Sequence, residues 1–255
     1  MADHIRCGRT VLRPDPDMTA TRRRLLMAAV TTPFLVGAVR AQQAAFSVET
    51  LTFESRGKPI RAALYTPAQP NGAAVVFLHG SGGIGSAYLT LAEQFAVEGF
   101  KVLVPAYYDA AADDGVRPEP VMDAWRAVGS DAVDWMIESG IDRRRIGIMG
   151  YSLGSYVAVD GALGNSRAAA AIGVAGGWDV YVPRPPRRRI PVLVIQSEND
   201  THVSPESTRR WVEFLRQADV PVRLQVLRGA GHLYTPAQWQ EVHRMASDFF
   251  KRTLL

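Results

Sequence analysis

Five residues, Gly150-Tyr151-Ser152-Leu153-Gly154, constrain this chain more than any other stretch. They follow an apolar run, Ile146-Gly147-Ile148-Met149, and lead into a segment with helical spacing over 153–163. The pattern predicts a strand that turns at once into a helix. Bulk on either side of so tight a turn would clash, which accounts for the flanking glycines. A serine at the apex is pushed into the open and sits at a helix N-terminus, where free N–H groups stabilise negative charge. A Gly-rich turn with an incidental serine is the plainer reading; the strand before it and the helix after it favour the chemical one.

The rest of the chain repeats that grammar. Residues 46–54 and 58–65 read as an antiparallel pair of strands turning at Arg56-Gly57, with Ile60, Ala62 and Leu64 on one face. Residues 73–78 form a fully apolar run, as expected of a strand covered on both faces. Ser86 is the expected cap of a helix carrying Tyr88, Leu91, Ala92 and Phe95, which Gly99 ends. Further strands are expected over 101–105, 145–149, 168–175, 192–196 and 222–227. Helices are expected through Trp125, Val128, Ala132, Trp135 and Met136, from Ser204-Pro205, and from the capping box Thr235-Pro236-Ala237-Gln238. Alternating strands and helices imply a mostly parallel sheet with helices on both faces, and its ligand site beyond the carboxyl ends of the strands.

Charge separates a leader from this body. The formal net charge is +4, yet residues 42–255 hold 22 basic and 22 acidic side chains, so the body gives no reason to expect nucleic-acid binding. The excess lies in residues 1–41, where Thr21-Arg22-Arg23-Arg24-Leu25-Leu26 matches a twin-arginine export signal. The apolar run that follows, 25–39, falls short of the roughly 20 residues a spanning helix needs. Val39-Arg40-Ala41 offers a cleavage site, with Ala44 and Ala45 as alternatives. The expectation is an exported, periplasmic or secreted protein with no stable membrane insertion after leader removal, divided as 1–41 extension and signal and 42–255 catalytic domain. Met18 is an alternative start. Cys7, the only cysteine, falls in the leader, so residues 42–255 can hold neither a disulfide nor a thiolate nucleophile.

A serine hydroxyl needs a base to take its proton. Of the histidines, His232 in Gly229-Ala230-Gly231-His232 follows the last strand, on a loop at the expected edge, whereas His243 lies within the final helix and reads as a solvated surface residue. The base in turn needs a carboxylate to fix its tautomer. Asp200, in Ser197-Glu198-Asn199-Asp200-Thr201-His202-Val203, is the natural choice; Glu198 on the same loop and the more distant Asp179 stay open. Oxyanion donors are expected from the N–H of Leu153 and, in His79-Gly80-Ser81-Gly82-Gly83, from Ser81, with Gly82 next and His79 as a brace. Tyr107, Tyr151 and Trp178, with Tyr108 and Tyr234, are placed to face an apolar or aromatic substrate group, though core packing explains them nearly as well. The run Arg184-Pro185-Pro186-Arg187-Arg188-Arg189 reads first as a solvated loop, and second as an anion-binding rim over the site.

The motifs Leu-His-Gly-Ser-Gly-Gly, Gly-Tyr-Ser-Leu-Gly, Glu-Asn-Asp-Thr-His-Val and Gly-Ala-Gly-His, in the order Ser152, Asp200, His232, resemble the dienelactone hydrolase family of α/β-hydrolases over residues 46–255. The resemblance implies an α/β-hydrolase fold: a mostly parallel eight-stranded sheet flanked by helices, with no large cap domain. The namesake enzymes carry a cysteine nucleophile and a glutamate in the loop after the central strand. This chain has Ser152 and no glutamate there, and so resembles a serine esterase on that scaffold. The expected function is cleavage of a carboxylic ester, lactone or other activated acyl compound through an acyl-serine intermediate, with a small-molecule ester as partner and no metal or organic cofactor. The alternatives are a peptidase or acyl-peptide hydrolase, and a non-catalytic exported binding protein on the same scaffold.

Overall fold

The computed structural model describes residues 44–179 and 181–255; the leader expected over 1–41 lies outside them. Eight strands run in the order β1-β2-β4-β3-β5-β6-β7-β8. β1 (Phe46–Ser55) and β2 (Lys58–Pro67) are antiparallel to each other, and β2 is antiparallel to β4. β3 (Ala74–Leu78), β4 (Lys101–Pro105), β5 (Ile146–Tyr151), β6 (Ala170–Val174), β7 (Val192–Ser197) and β8 (Val222–Leu227) are parallel. The expected α/β sheet, with its antiparallel edge, is the observed one.

Two apolar layers hold it. Alternate residues of β3 point to opposite faces: Ala74, Val76 and Leu78 pack with α2 (Glu119–Glu138), α3 (Leu153–Leu163) and α4 (Pro205–Gln217), while Val75 and Phe77 pack with α1 (Ser86–Val97) and α5 (Pro236–Leu254). Gly147 on β5 is small because the ring of Phe250 of α5 lies directly on it, where a Cβ would collide with the ring edge.

Two expectations need correction. The cap of α1 is Gly85, and Ser86 is already helical with no side-chain cap bond. His243 is not solvated: its ring lies 4.9 Å from that of Phe95, because α5 packs on α1 as well as on the sheet. The arginine run is the solvated loop of its first reading. Arg184 is tied to Glu119 and Asp123, and the amides of Arg187 and Arg188 bond the Leu163 carbonyl at the far end of α3.

α2 and α3 are joined by a buried ion pair, Arg126 to Asp160 at 3.3 Å. Burial raises the Asp160 carboxyl to about 6, against the pull of Arg126. A carboxyl raised in the folded state binds more protons there than when unfolded, so stability falls as pH climbs from the ordinary value toward 6 and then levels off. Urea titrations at pH 4, 5, 6 and 7 are expected to show wild type losing, relative to Asp160→Asn, on the order of 2 kcal/mol across that window. A difference independent of pH would show that Asp160 is not the titrating group.

Candidate active site

The carboxyl ends of β5, β7 and β8 bring three side chains together. Ser152 follows β5 with φ 51° and ψ −119°, a conformation that costs a non-glycine residue on the order of 1–3 kcal/mol. The strain is locked in by neighbours. A Cβ on Gly150 would collide with the Gly154 carbonyl, and one on Gly154 with the carbonyls of Leu78 and His79. The Ser152 amide donates to Val174 O on β6 at 2.8 Å. Ser152 Oγ lies 2.9 Å from His232 Nε2, and His232 Nδ1 lies 2.8 Å from Asp200 Oδ2. The other Asp200 oxygen accepts the amides of His202 and Val203, each at 2.9 Å. Burial works to raise the Asp200 pKa, but the bonds to His232 and to these amides together hold it below its ordinary value.

The competing acids sit elsewhere. Glu198 is exposed and accepts the Gly229 amide at 2.8 Å, closing the turn that leads to His232. Asp179 is bonded by the Tyr156 hydroxyl. Asp200, His202 and His232 offer ligand atoms within 4.8 Å of one another. A metal there would compete with the bonds that Asp200 and both His232 nitrogens already make, so these residues fit a proton-transfer chain better than a metal centre.

The loop after β3 brings Ser81 to the same edge. Its amide and that of Leu153, the first residue of α3, have no acceptor among the described residues. The loop is held from behind: the Tyr107 hydroxyl donates to His79 O at 3.0 Å, His79 Nδ1 to Gly80 O at 2.8 Å, and Tyr108 Oη lies 3.1 Å from Ser81 O. His79 stacks on Tyr107 at 4.1 Å, and burial lowers its pKa, so it stays neutral as a brace.

Two of the three aromatic expectations are corrected here. Tyr107 is fully buried and supports the loop from beneath, because the chain turns inward at Tyr107–Asp109 to close over β4. Tyr151 is buried between Tyr88, Tyr234 and Trp239, with its hydroxyl on His232 O, so it steadies the histidine loop. Trp178 is half-buried, edge-on to Phe214 of α4 and under Arg210. The sequence reading missed His202, whose exposed ring stacks on His232 at 4.8 Å; its place two residues after Asp200 was the available signal.

Tyr107→Phe should separate brace from substrate contact. It leaves His79 O unpaired in the core, which is expected to cost about 1–2 kcal/mol of stability. It also loosens the loop, for an expected tenfold fall in kcat on a p-nitrophenyl ester with KM nearly unchanged. A KM effect alone would return Tyr107 to the substrate surface.

The family model of the dienelactone hydrolases matches residues 60–254. The chain belongs to the dienelactone hydrolase family. As a member it is a carboxylic ester hydrolase, and the eight-stranded sheet is the family's α/β-hydrolase fold. No curated protein sequence gives a significant match. Among solved structures it resembles a dienelactone hydrolase-like promiscuous phosphotriesterase from metagenomic libraries, at 16% identity and TM-score 0.70, covering 82% of this chain and 99% of that one. It also resembles a thermostable esterase from Pseudomonas putida, at 17% identity and TM-score 0.68, covering 83% and 84% of the two chains. A third is Thermogutta terrifontis esterase 2, solved after phosphoramylation by tabun, at 19% identity and TM-score 0.66, covering 82% and 96%. At these identities the likeness is one of fold.

Proposed function

We propose that this dienelactone hydrolase family member is a serine esterase that works through an acyl-serine intermediate. The observation that carries the reading is the continuous chain Ser152 Oγ, His232, Asp200, at 2.9 and 2.8 Å, beside two unpaired amides at the head of α3 and in the loop after β3. Ser152 attacks the ester carbonyl while His232 takes its proton, and the tetrahedral oxyanion is held by the amides of Leu153 and Ser81. His232 returns the proton to the leaving alcohol. It then activates a water that releases the acid and restores Ser152.

The substrate is read as an ester with an apolar acyl or alcohol group. Ile84, Val116, Val182 and Leu233 are exposed aliphatics on the loops after β3, β4, β6 and β8, which all open at the edge where Ser152 stands. A chain-length series of p-nitrophenyl esters tests both parts. The expected results are a stoichiometric burst of nitrophenol, covalent labelling of Ser152 by a fluorophosphonate, and kcat/KM rising from acetate to medium chains. Failure of both turnover and labelling would leave a binding protein on a hydrolase scaffold.

The proposal includes export, resting on Arg22-Arg23 and the apolar run behind them. Replacing both arginines by lysine in the full chain is expected to trap the protein inside the cell; equal export would remove this part of the reading. Among the described residues, no helix is long and apolar enough to cross a membrane.

A further inference from the structure

The opposite edge of the sheet carries a feature that ester cleavage does not use. Two cavities flank the end of α3. The larger, about 730 Å³, is charge-balanced: Arg56, Arg126, Arg184 and Arg187 face Asp123, Asp131, Asp134 and Asp160. The smaller, about 440 Å³, is lined by Arg143, Arg144, Arg167 and Arg188, and among the described residues no acidic side chain lines its wall. These arginines come from three separate segments: the turn Arg143–Arg145 before β5, the link from α3 to β6, and the approach to β7. All three lie at the amino ends of parallel strands, so the six-residue β5 separates this cavity from Ser152 by about 20 Å.

The charges there are incompletely neutralised. Arg144 pairs with Asp142 at 2.8 Å and Arg167 with Asp134 at 2.7 Å. Arg143 and Arg188 form no ion pair among the described residues. Arg188 is half-buried and spends Nη1 on the carbonyls of Ala162 and Ser166. Burial lowers its pKa, and the charge of Arg143 lowers it further, which places the two cations near each other. Residues 42–255 are balanced as a whole, so the cluster is a local concentration of charge.

We propose that this cavity binds a phosphate-bearing anion. Guanidinium forks match the oxygens of a phosphate, and the four arginines outnumber the two carboxylates that pair with them, Asp142 and Asp134. The cavity is also larger than a bare phosphate, so the ligand is a phosphomonoester or phosphodiester with a small organic group, either free or as a lipid headgroup.

Calorimetric titration with glycerol 3-phosphate, using glycerol as the control, tests the free ligand. Cosedimentation with phosphatidylglycerol vesicles, against phosphatidylcholine vesicles, tests the headgroup. The comparison variant is Arg143→Gln/Arg144→Gln. Both side chains are exposed and the one ion pair removed is worth little, so its melting curve should match wild type. Wild type is expected to bind glycerol 3-phosphate and not glycerol, several-fold more weakly in 0.5 M salt, with the double variant at least tenfold weaker. Vesicle binding without titration would assign the site to a headgroup, and titration without vesicle binding to a free phosphate ester. Binding in neither arm, or equal binding by the double variant, would overturn the proposal.

Discussion

Ser152→Ala is expected to lower kcat on a p-nitrophenyl ester by about 10⁶, and His232→Ala by a similar factor, while the double variant is no slower than either. The non-additivity is the informative part. Ser152 Oγ and His232 Nε2 are 2.9 Å apart, so nucleophile and base act as one unit and removing either disables both. What remains in each variant is the oxyanion pocket, worth a residual acceleration over water of about 10³–10⁴. Neither substitution should unfold the protein. Ser152 is held by its backbone, through the amide bond to Val174 O and the close packing of Gly150 and Gly154, and alanine loses only a half-buried hydroxyl. Initial rates, with labelled-site titration to measure contaminating wild type, decide the matter. A Ser152→Ala protein retaining more than about one-hundredth of wild-type kcat would place the nucleophile elsewhere.

That arrangement was legible in the sequence to an uneven degree, and the reasons are physical. Strand and helix positions were readable because β3, β5, β6 and β7 are buried on both faces and begin with apolar runs, and because α4 and α5 are amphipathic and capped at Ser204 and Thr235. Ser152, Asp200 and His232 were readable because each lies on a loop that a parallel sheet must open toward the same edge. Side-chain direction within those loops was not. Tyr107 and Tyr108 are adjacent, yet one is buried and the other half-exposed, since the short helical turn at Tyr107–Asp109 rotates them apart. The arginine run reads correctly as a solvated loop, but its edge was not legible, for a related reason. Among the described residues the link from β6 to β7 contains no helix, and it must return to the opposite edge to enter a parallel strand, so sequence position alone cannot say at which edge Arg184 to Arg189 settle. The burial of His243, by contrast, is legible in the sequence. The residue lies four residues after Trp239 and three before Ala246, on the arc of α5 that the apolar residues already marked as buried.

Asp200→Asn is expected to lower kcat by about 10⁴ at neutral pH, with the fold and KM largely kept. The carboxylate accepts the proton of His232 Nδ1 through one oxygen and two backbone amides through the other, so all its bonds require an acceptor. Asparagine can keep the amide bonds with its carbonyl oxygen, but its NH₂ then faces Nδ1. The imidazole responds by moving its proton to Nε2, where it points at Ser152 and can no longer take the serine proton. Glu198→Gln is the control that separates the two acids of this loop. Glu198 is exposed and only closes the turn at Gly229, so less than a twofold change in kcat is expected. The pH dependence follows from the lowered pKa of Asp200. A depressed carboxyl keeps its charge above its ordinary value and loses it only as pH falls through the lower folded value, so the orienting bond persists across pH 5 to 8. Over that range protonation of Asp200 is therefore expected to leave wild-type kcat/KM unaffected. If Glu198→Gln proved the more damaging variant, the acid would have to be reassigned within the loop, and the 2.8 Å bond from His232 to Asp200 would be structural.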